Sequence, residues 1–204
     1  MQNLTVDNIC FKYGDQFLFK NWSANIPTGV VLIHSEESRG KSTLLRILAG
    51  ALQPESGDIF LDDISASKSP QLFQSRIFHV EPSTEAFDQI TAMDFFARCK
   101  TQYPEFDEQK LNSLIQGLSL SAHKDKPIYM LSAGTKRKVW IAAAIASNAR
   151  VALIDDLTAA LDKGSIDFLT SALANQALNS QNKTIVVAHY DALDNIPLAL
   201  TISL

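Results

Sequence analysis

The stretch that most constrains this chain is a β-branched run, Val30-Val31-Leu32-Ile33, followed at once by Ser35-Glu36-Glu37-Ser38-Arg39-Gly40-Lys41-Ser42-Thr43. Helix-favouring residues continue to Leu48 and stop at Gly50, a natural C-terminal cap. A buried strand that passes into a helix through such a turn aims main-chain N–H groups and the positive end of the helix dipole at one spot. That spot suits phosphate oxygens, with Lys41 reaching the β- and γ-phosphates and the Ser42 hydroxyl placed for Mg²⁺. The loop departs from the pattern G-x-x-x-x-G-K-[ST] at Ser35, and a further position often occupied by glycine is Ser38. Where positive φ is needed, a non-glycine residue costs about 1–2 kcal/mol. Glu36 and Glu37 bring negative charge toward a polyphosphate, and two unit charges about 4 Å apart repel by about 4 kcal/mol at an effective dielectric near 20. Arg39 offsets part of that. Taken alone, the loop fits a phosphate cradle and a purely structural strand-turn-helix equally well.

The rest of the chain supplies the setting. Strand-like segments run over Leu4–Phe11, Trp22–Ile26 and Ile77–Val80. A turn at Ser56-Gly57-Asp58 leads into Ile59–Leu61, with another turn at Asp62-Asp63. Thr91–Lys100 and Phe106–Leu118 carry apolar residues at helical spacing and read as a helical insertion, approximately 82–131, in a single domain spanning 1–204. Beyond it come a helix over Ser132–Ser147, a strand over Val151–Ile154 and a helix over Lys163–Leu178. Strands over Thr184–Ala188 and near Leu198–Leu204 complete the reading. Short apolar strands alternating with helices predict an α/β fold whose mainly parallel sheet is covered on both faces.

Charge and cysteine usage exclude several classes. The net charge of −4 disfavours nucleic acid and anionic lipid as partners. The one basic cluster, Lys136-Arg137-Lys138, reads as a solvated helix face. Two cysteines, Cys10 and Cys99, without CxxC spacing suit a reducing cytosol and give no zinc site. The amino terminus lacks a signal-peptide pattern, and the longest apolar run, Val139–Ala146, is far below the roughly 18 residues of a spanning helix. The expectation is a cytoplasmic protein, peripheral at the inner face of a membrane only through a partner.

Further motifs follow the phosphate loop in a telling order: Leu131-Ser132-Ala133-Gly134, then Val151-Ala152-Leu153-Ile154-Asp155-Asp156, then Leu157-Thr158-Ala159-Ala160-Leu161-Asp162, and last Ile185-Val186-Val187-Ala188-His189. Together with Gly40–Thr43, their order and spacing resemble the ABC (ATP-binding cassette) ATPase family over nearly the whole chain. The resemblance implies a P-loop NTPase core with a mainly parallel sheet, an N-terminal antiparallel β subdomain and a helical insertion. It implies ATP and Mg²⁺ as ligands, ATP hydrolysis, transmembrane transporter subunits as partners, and a homo- or heterodimer of cassettes.

Residue by residue, the nucleotide-binding set is Tyr13, Ser35, Ser38, Arg39, Gly40, Lys41, Ser42, Thr43, Ser132 and Gly134. Tyr13 resembles the aromatic that stacks on adenine, against the alternative of a buried strand aromatic. Ser42, Asp155 and Glu81 are the expected metal ligands, although Asp155 could also serve as a helix cap. Asp156 stands where the family has the glutamate that polarises the attacking water, one methylene shorter, so slow hydrolysis is expected. Leu157 replaces the usual proline. His189 matches the switch histidine at the γ-phosphate, and Glu81 lies where a glutamine usually senses metal and water. Ser132 and Gly134 belong to a signature motif, with Ala133 and Thr135 replacing the family's residues, that binds the opposite subunit's γ-phosphate. Ser132 fits a helix cap as well. Ala160-Leu161-Asp162 resembles the D-loop at the dimer seam.

The departures gather in the half-site this chain builds for its own nucleotide. That pattern implies a slow site here and a competent contribution to a partner cassette. Leu131–Gly134 and Ile90-Thr91-Ala92-Met93 also resemble the haem-exporter subunit of cytochrome c maturation. Energy supply to a transporter is the leading reading. A non-transport cassette and a nucleotide-sensing regulator with little turnover are the alternatives.

Overall fold

The computed structural model describes residues 4–36, 39–179 and 182–204. Nine strands and six helices follow in the described chain order: β1 Leu4–Tyr13, β2 Gln16–Ile26, β3 Gly29–His34, α1 Lys41–Leu48, β4 Ser56–Leu61, β5 Ile64–Ser65, α2 Pro70–Gln74 and β6 Ile77–His79. The second half adds α3 Ala92–Gln102, α4 Glu108–Gly117, α5 Ala133–Ala146, β7 Val151–Asp155, α6 Lys163–Asn179, β8 Thr184–His189 and β9 Leu198–Ser203. Strands β2-β1-β4-β5 form an antiparallel sheet, and β6-β7-β8-β3-β9 form a second sheet in which every pairing is parallel.

The parallel sheet is buried on both faces, and the two-residue period of its strands divides the core. Val31, Ile33, Val151, Leu153, Val186 and Ala188 face a cluster that holds α1 and the antiparallel sheet. Their alternates, Val30, Ala152, Ile154, Ile185 and Val187, face the cluster built by α3, α4 and α5. Both faces being apolar, β3, β7 and β8 read as continuous hydrophobic runs rather than as alternating strands.

Helix α5 is buried almost all round from Val139 to Ala146, and its alanines let the backbone lie close to β7. Side chains cap the helices where the sequence offers them. Thr91 and Asp94 form a reciprocal capping box on α3, Asp107 accepts from Lys110 N at 2.8 Å, and Ser132 accepts from Thr135 N at 3.2 Å. The segment between β6 and α5 carries α3 and α4. Its base is closed by a bridge between Thr91 and Pro127 and by Ile128 N–H donating to Ile90 O at 2.9 Å.

Three local features differ from the sequence reading. β2 begins at Gln16 rather than Trp22, because Phe17 and Phe19 pair with Lys12 and Phe11 across an irregular antiparallel register. The two-residue β5, joined to β4 by the Asp62-Asp63 turn, and the single-turn α2 are too short to show a periodicity.

Candidate functional site

The carboxyl ends of the central strands lie level with one another. His34 on β3 pairs in register with His189 on β8, and Asp155 on β7 pairs with Ala188. In open α/β sheets this edge is where ligands bind, outside the strand ends.

The loop after β3 opens onto a cleft of about 300 Å³ lined by Tyr13, Leu18, Gly40, Lys41, Ser42 and Thr43. Gly40 is left-handed at φ 94°, a conformation that favours glycine, and a Cβ there would stand 2.8 Å from the Leu18 side chain. Among the described residues no side chain caps α1, so its first-turn amides face the cleft as an anion site. Tyr13 is 55% exposed, with its ring edge-on to Phe11 and its hydroxyl 3.3 Å from Thr43 Oγ1. The tyrosine is therefore an accessible wall of the cleft rather than a core aromatic.

The Lys41 ammonium is folded into its own loop, donating to Ser35 O at 2.6 Å, Glu36 O at 2.8 Å and Ser35 Oγ at 3.2 Å. These oxygens occupy the ammonium as phosphate oxygens would. Ser35 is buried and is not among the described residues at positive φ, so the strain expected at this position does not arise. The Glu36 carboxylate is exposed and 3.6 Å from Arg39, so solvent and a neighbouring cation screen its charge. Glu37 and Ser38 lie outside the described residues.

At the end of β7 the Asp155 carboxylate makes no hydrogen bond or ion pair among the described residues, which leaves it open to a ligand. Asp156 is left-handed at φ 53°, with its amide donating to Ala188 O at 2.9 Å. Its Oδ1 accepts from Ala159 N at 3.1 Å and lies 3.9 Å from His189 Nε2.

His189 is 3% exposed, and burial lowers its pKa against the raising influence of Asp156 and Asp191. Its Nδ1 accepts from Asp191 N at 2.9 Å, so the ring proton sits on Nε2 and points to Thr158 Oγ1 at 2.7 Å. Thr158 is a member of this cluster that the sequence did not single out. It stood in the quoted Leu157–Asp162 run, but only the neighbouring strand reveals its hydroxyl contact.

Glu81 follows β6 and pairs with Arg46 of α1, Nε to Oε1 at 2.9 Å, in an ion pair whose N–H is not aligned for a hydrogen bond. Its charge and that of Asp155 both act on the half-buried His79, so the two carboxylates share this edge. Among the described residues no group of three or more His, Cys, Asp and Glu is spaced to hold a metal by itself. Asp155, free of competing partners, and the exposed Ser42 fit Mg²⁺, which keeps several waters and takes substrate oxygens. Glu81 fits less well, because Arg46 already neutralises it.

The remaining residues form a second surface. Ser132 caps α5 and its Oγ is 2.9 Å from Thr135 Oγ1. Gly134 packs so tightly on the segment 160–162 that a Cβ would come within 2.2 Å of Ala160 O. Neither Ser132 nor Gly134 lines the Lys41 cleft.

The basic cluster is not a solvated face. Lys136, Arg137 and Lys138 are only 22%, 19% and 13% exposed in their side chains. Each turns to a different segment: Lys136 to Asp88 at 2.8 Å, Arg137 to the Asp155 and Asp156 carbonyls, and Lys138 to Asp162 at 2.6 Å. Successive residues of a helix point about 100° apart, so one basic triplet braces three loops.

Residues 19–159 match the family profile described as ABC transporter. The chain belongs to the ABC transporter family. It is 26% identical over 184 residues to the cytochrome c biogenesis ATP-binding export protein CcmA of Tatumella citrea, covering 88% of this chain and 85% of that one. It is 31% identical over 185 residues to the molybdate import ATP-binding protein MolC of Haemophilus influenzae, covering 90% and 71%. The fold of this cassette is shared with MJ0796, an ATP-binding cassette solved as a dimer with ADP and Pi, at a TM-score of 0.74 and 21% identity over 92% of this chain and 88% of that one.

Proposed function

We propose that this cassette binds Mg-ATP in the cleft between Tyr13 and the Gly40–Thr43 turn, and that its hydrolysis moves transmembrane subunits docked on the segment 82–131. The observation that carries this reading is the convergence of the Lys41 loop, Asp155, Asp156 and His189 on one sheet edge. Lys41 exchanges the Ser35 and Glu36 oxygens for β- and γ-phosphate oxygens. The first turn of α1 takes the same anion through its amides, and Tyr13 stacks on the base. Ser42 and, through water, Asp155 would hold Mg²⁺, which would supply charge neutralisation for the polyphosphate.

Asp156 accepts a proton from the water that attacks the γ-phosphorus, the bond to the bridging oxygen breaks, and ADP and phosphate form. The Nε2–H of His189 turns from Thr158 to a γ-phosphate oxygen as the site closes. Ser132 and the amide of Gly134 serve the nucleotide of a second cassette, as in a head-to-tail dimer. Turnover at this chain's own site is slow, for a reason in the geometry. Asp156 has a short stem and already accepts from Ala159 N–H, and a misplacement of about 1 Å costs about a hundredfold in rate.

The test is phosphate release by the purified chain, alone and with co-purified membrane subunits, beside calorimetric titration with Mg-ATP. Binding that disappears in Lys41→Ala, with turnover raised by the partners, is the expected result. No heat at millimolar Mg-ATP in either preparation would reject the reading.

A further inference from the structure

Arg137 is 19% exposed in its side chain, and its Nη1 donates to two successive carbonyls, Asp155 O at 3.2 Å and Asp156 O. In an extended strand successive carbonyls point to opposite sides and cannot meet at one nitrogen. Here they converge because Asp156 is left-handed at φ 53°, immediately after β7 ends. The same Nη1 stands 3.8 Å from Asp156 Oδ2, on the side of the carboxylate away from the oxygen that accepts from Ala159 N–H. The guanidinium thus holds the bend from the main chain and flanks the carboxylate that the bend presents.

We infer that Arg137 is a positioning residue for hydrolysis, fixing the Asp155–Asp156 bend that aims the Asp156 carboxylate at water. The inference rests on the reading of Asp156 as the proton acceptor. It adds a coupling, because Arg137 stands one turn into the helix that begins beside Ser132 and Gly134. A shift of that helix, when its N-terminus meets the nucleotide of an opposing cassette, reaches Asp156 through Arg137. Lysine reproduces the contact only in part, since its flexible ammonium is not held in a rigid plane as Nη1 of the guanidinium is.

Single-turnover phosphate release and equilibrium Mg-ATP binding on the full chain test this with Arg137→Gln, Arg137→Lys, Asp156→Asn and the double variant Arg137→Gln/Asp156→Asn. Arg137→Gln should slow release by about tenfold or more while the ATP Kd stays within about twofold. Arg137→Lys should fall between wild type and Arg137→Gln, and it carries the same comparison if the glutamine variant folds poorly. In the Asp156→Asn background the Arg137 change should alter the residual rate by less than about twofold, because the group it positions is gone. An equal loss in both backgrounds overturns the inference, as a role in general packing would act regardless of Asp156. Arg137→Gln at the wild-type rate beside a slow Asp156→Asn overturns it alone. Asp156→Asn at the wild-type rate overturns the reading of Asp156 and the inference with it.

Discussion

Gly134→Ala probes the junction between the start of α5 and the segment 160–162. An added Cβ would lie 2.2 Å from Ala160 O, whereas real Cβ atoms essentially never come within 3.0 Å. The two segments must therefore part by about 0.8 Å, the difference between those distances. Neither side yields easily. Ala160 is held left-handed at φ 60°, Asp162 is tied back to α5 by Lys138 at 2.6 Å, and the helix beyond is buried. Overpacking of this kind costs about 1–3 kcal/mol, against a gain of about 0.5–1 kcal/mol from replacing glycine inside a helix. The midpoints of those ranges leave a net loss of about 1 kcal/mol by urea unfolding.

Gly117→Ala is the internal control. Its Cβ would also meet a neighbour at 2.2 Å, but that neighbour is the ring of Phe168, a half-buried side chain at the surface of α6 that can swing aside. That variant should remain within about 0.5 kcal/mol of wild type. If Gly134→Ala proves as stable as Gly117→Ala, the distinction between a backbone wall and a side-chain wall is wrong, and with it the rigid junction.

Asp156→Glu lengthens the stem of the proton acceptor, so phosphate release should quicken. Stability should fall by about 1 kcal/mol, because glutamate suits neither the left-handed bend nor the Ala159 cap. A slower variant of unchanged stability would contradict both halves. Lys138 first, and then the Ser165 N–H and hydroxyl, hold the Asp162 carboxyl below its ordinary range. A depressed folded-state pKa contributes stability that is complete above the unfolded value near about 4 and is lost as pH falls through the folded value. The stability gap between wild type and Asp162→Asn should accordingly shrink from pH 7 toward pH 3, and a constant gap in urea titrations would refute it. Cys99 is pushed up to about 12 by burial, whereas hydrogen bonds with Ser56 and Asn21 lower Cys10. A disulfide reagent at pH 8 should modify Cys10 in the native protein and Cys99 only after denaturant; equal native rates would show that Cys99 is not enclosed.

The family, the order of most strands and helices, the Ser132 cap and the phosphate-loop turn after β3 were legible in the chain. Those signals are local or follow a fixed order: apolar runs of strand length, a hydroxyl before a helix, glycine at a turn. The harmless backbone at Ser35, the ammonium of Lys41 folded onto its own loop, the Thr158 partner of His189 and the Glu81–Arg46 pair were not. Arg137 shows why most clearly. Its neighbours Lys136 and Lys138 made it look like part of a solvated stripe, and nothing near it in sequence says that β7 ends against it. A side chain's charge is written in the chain, but what it faces depends on which strands a parallel sheet brings level, and crossover connections set that across distant segments. Tertiary structure alone decided which carboxylate is free for a ligand, which is already paired, and which arginine meets the bend at the end of β7.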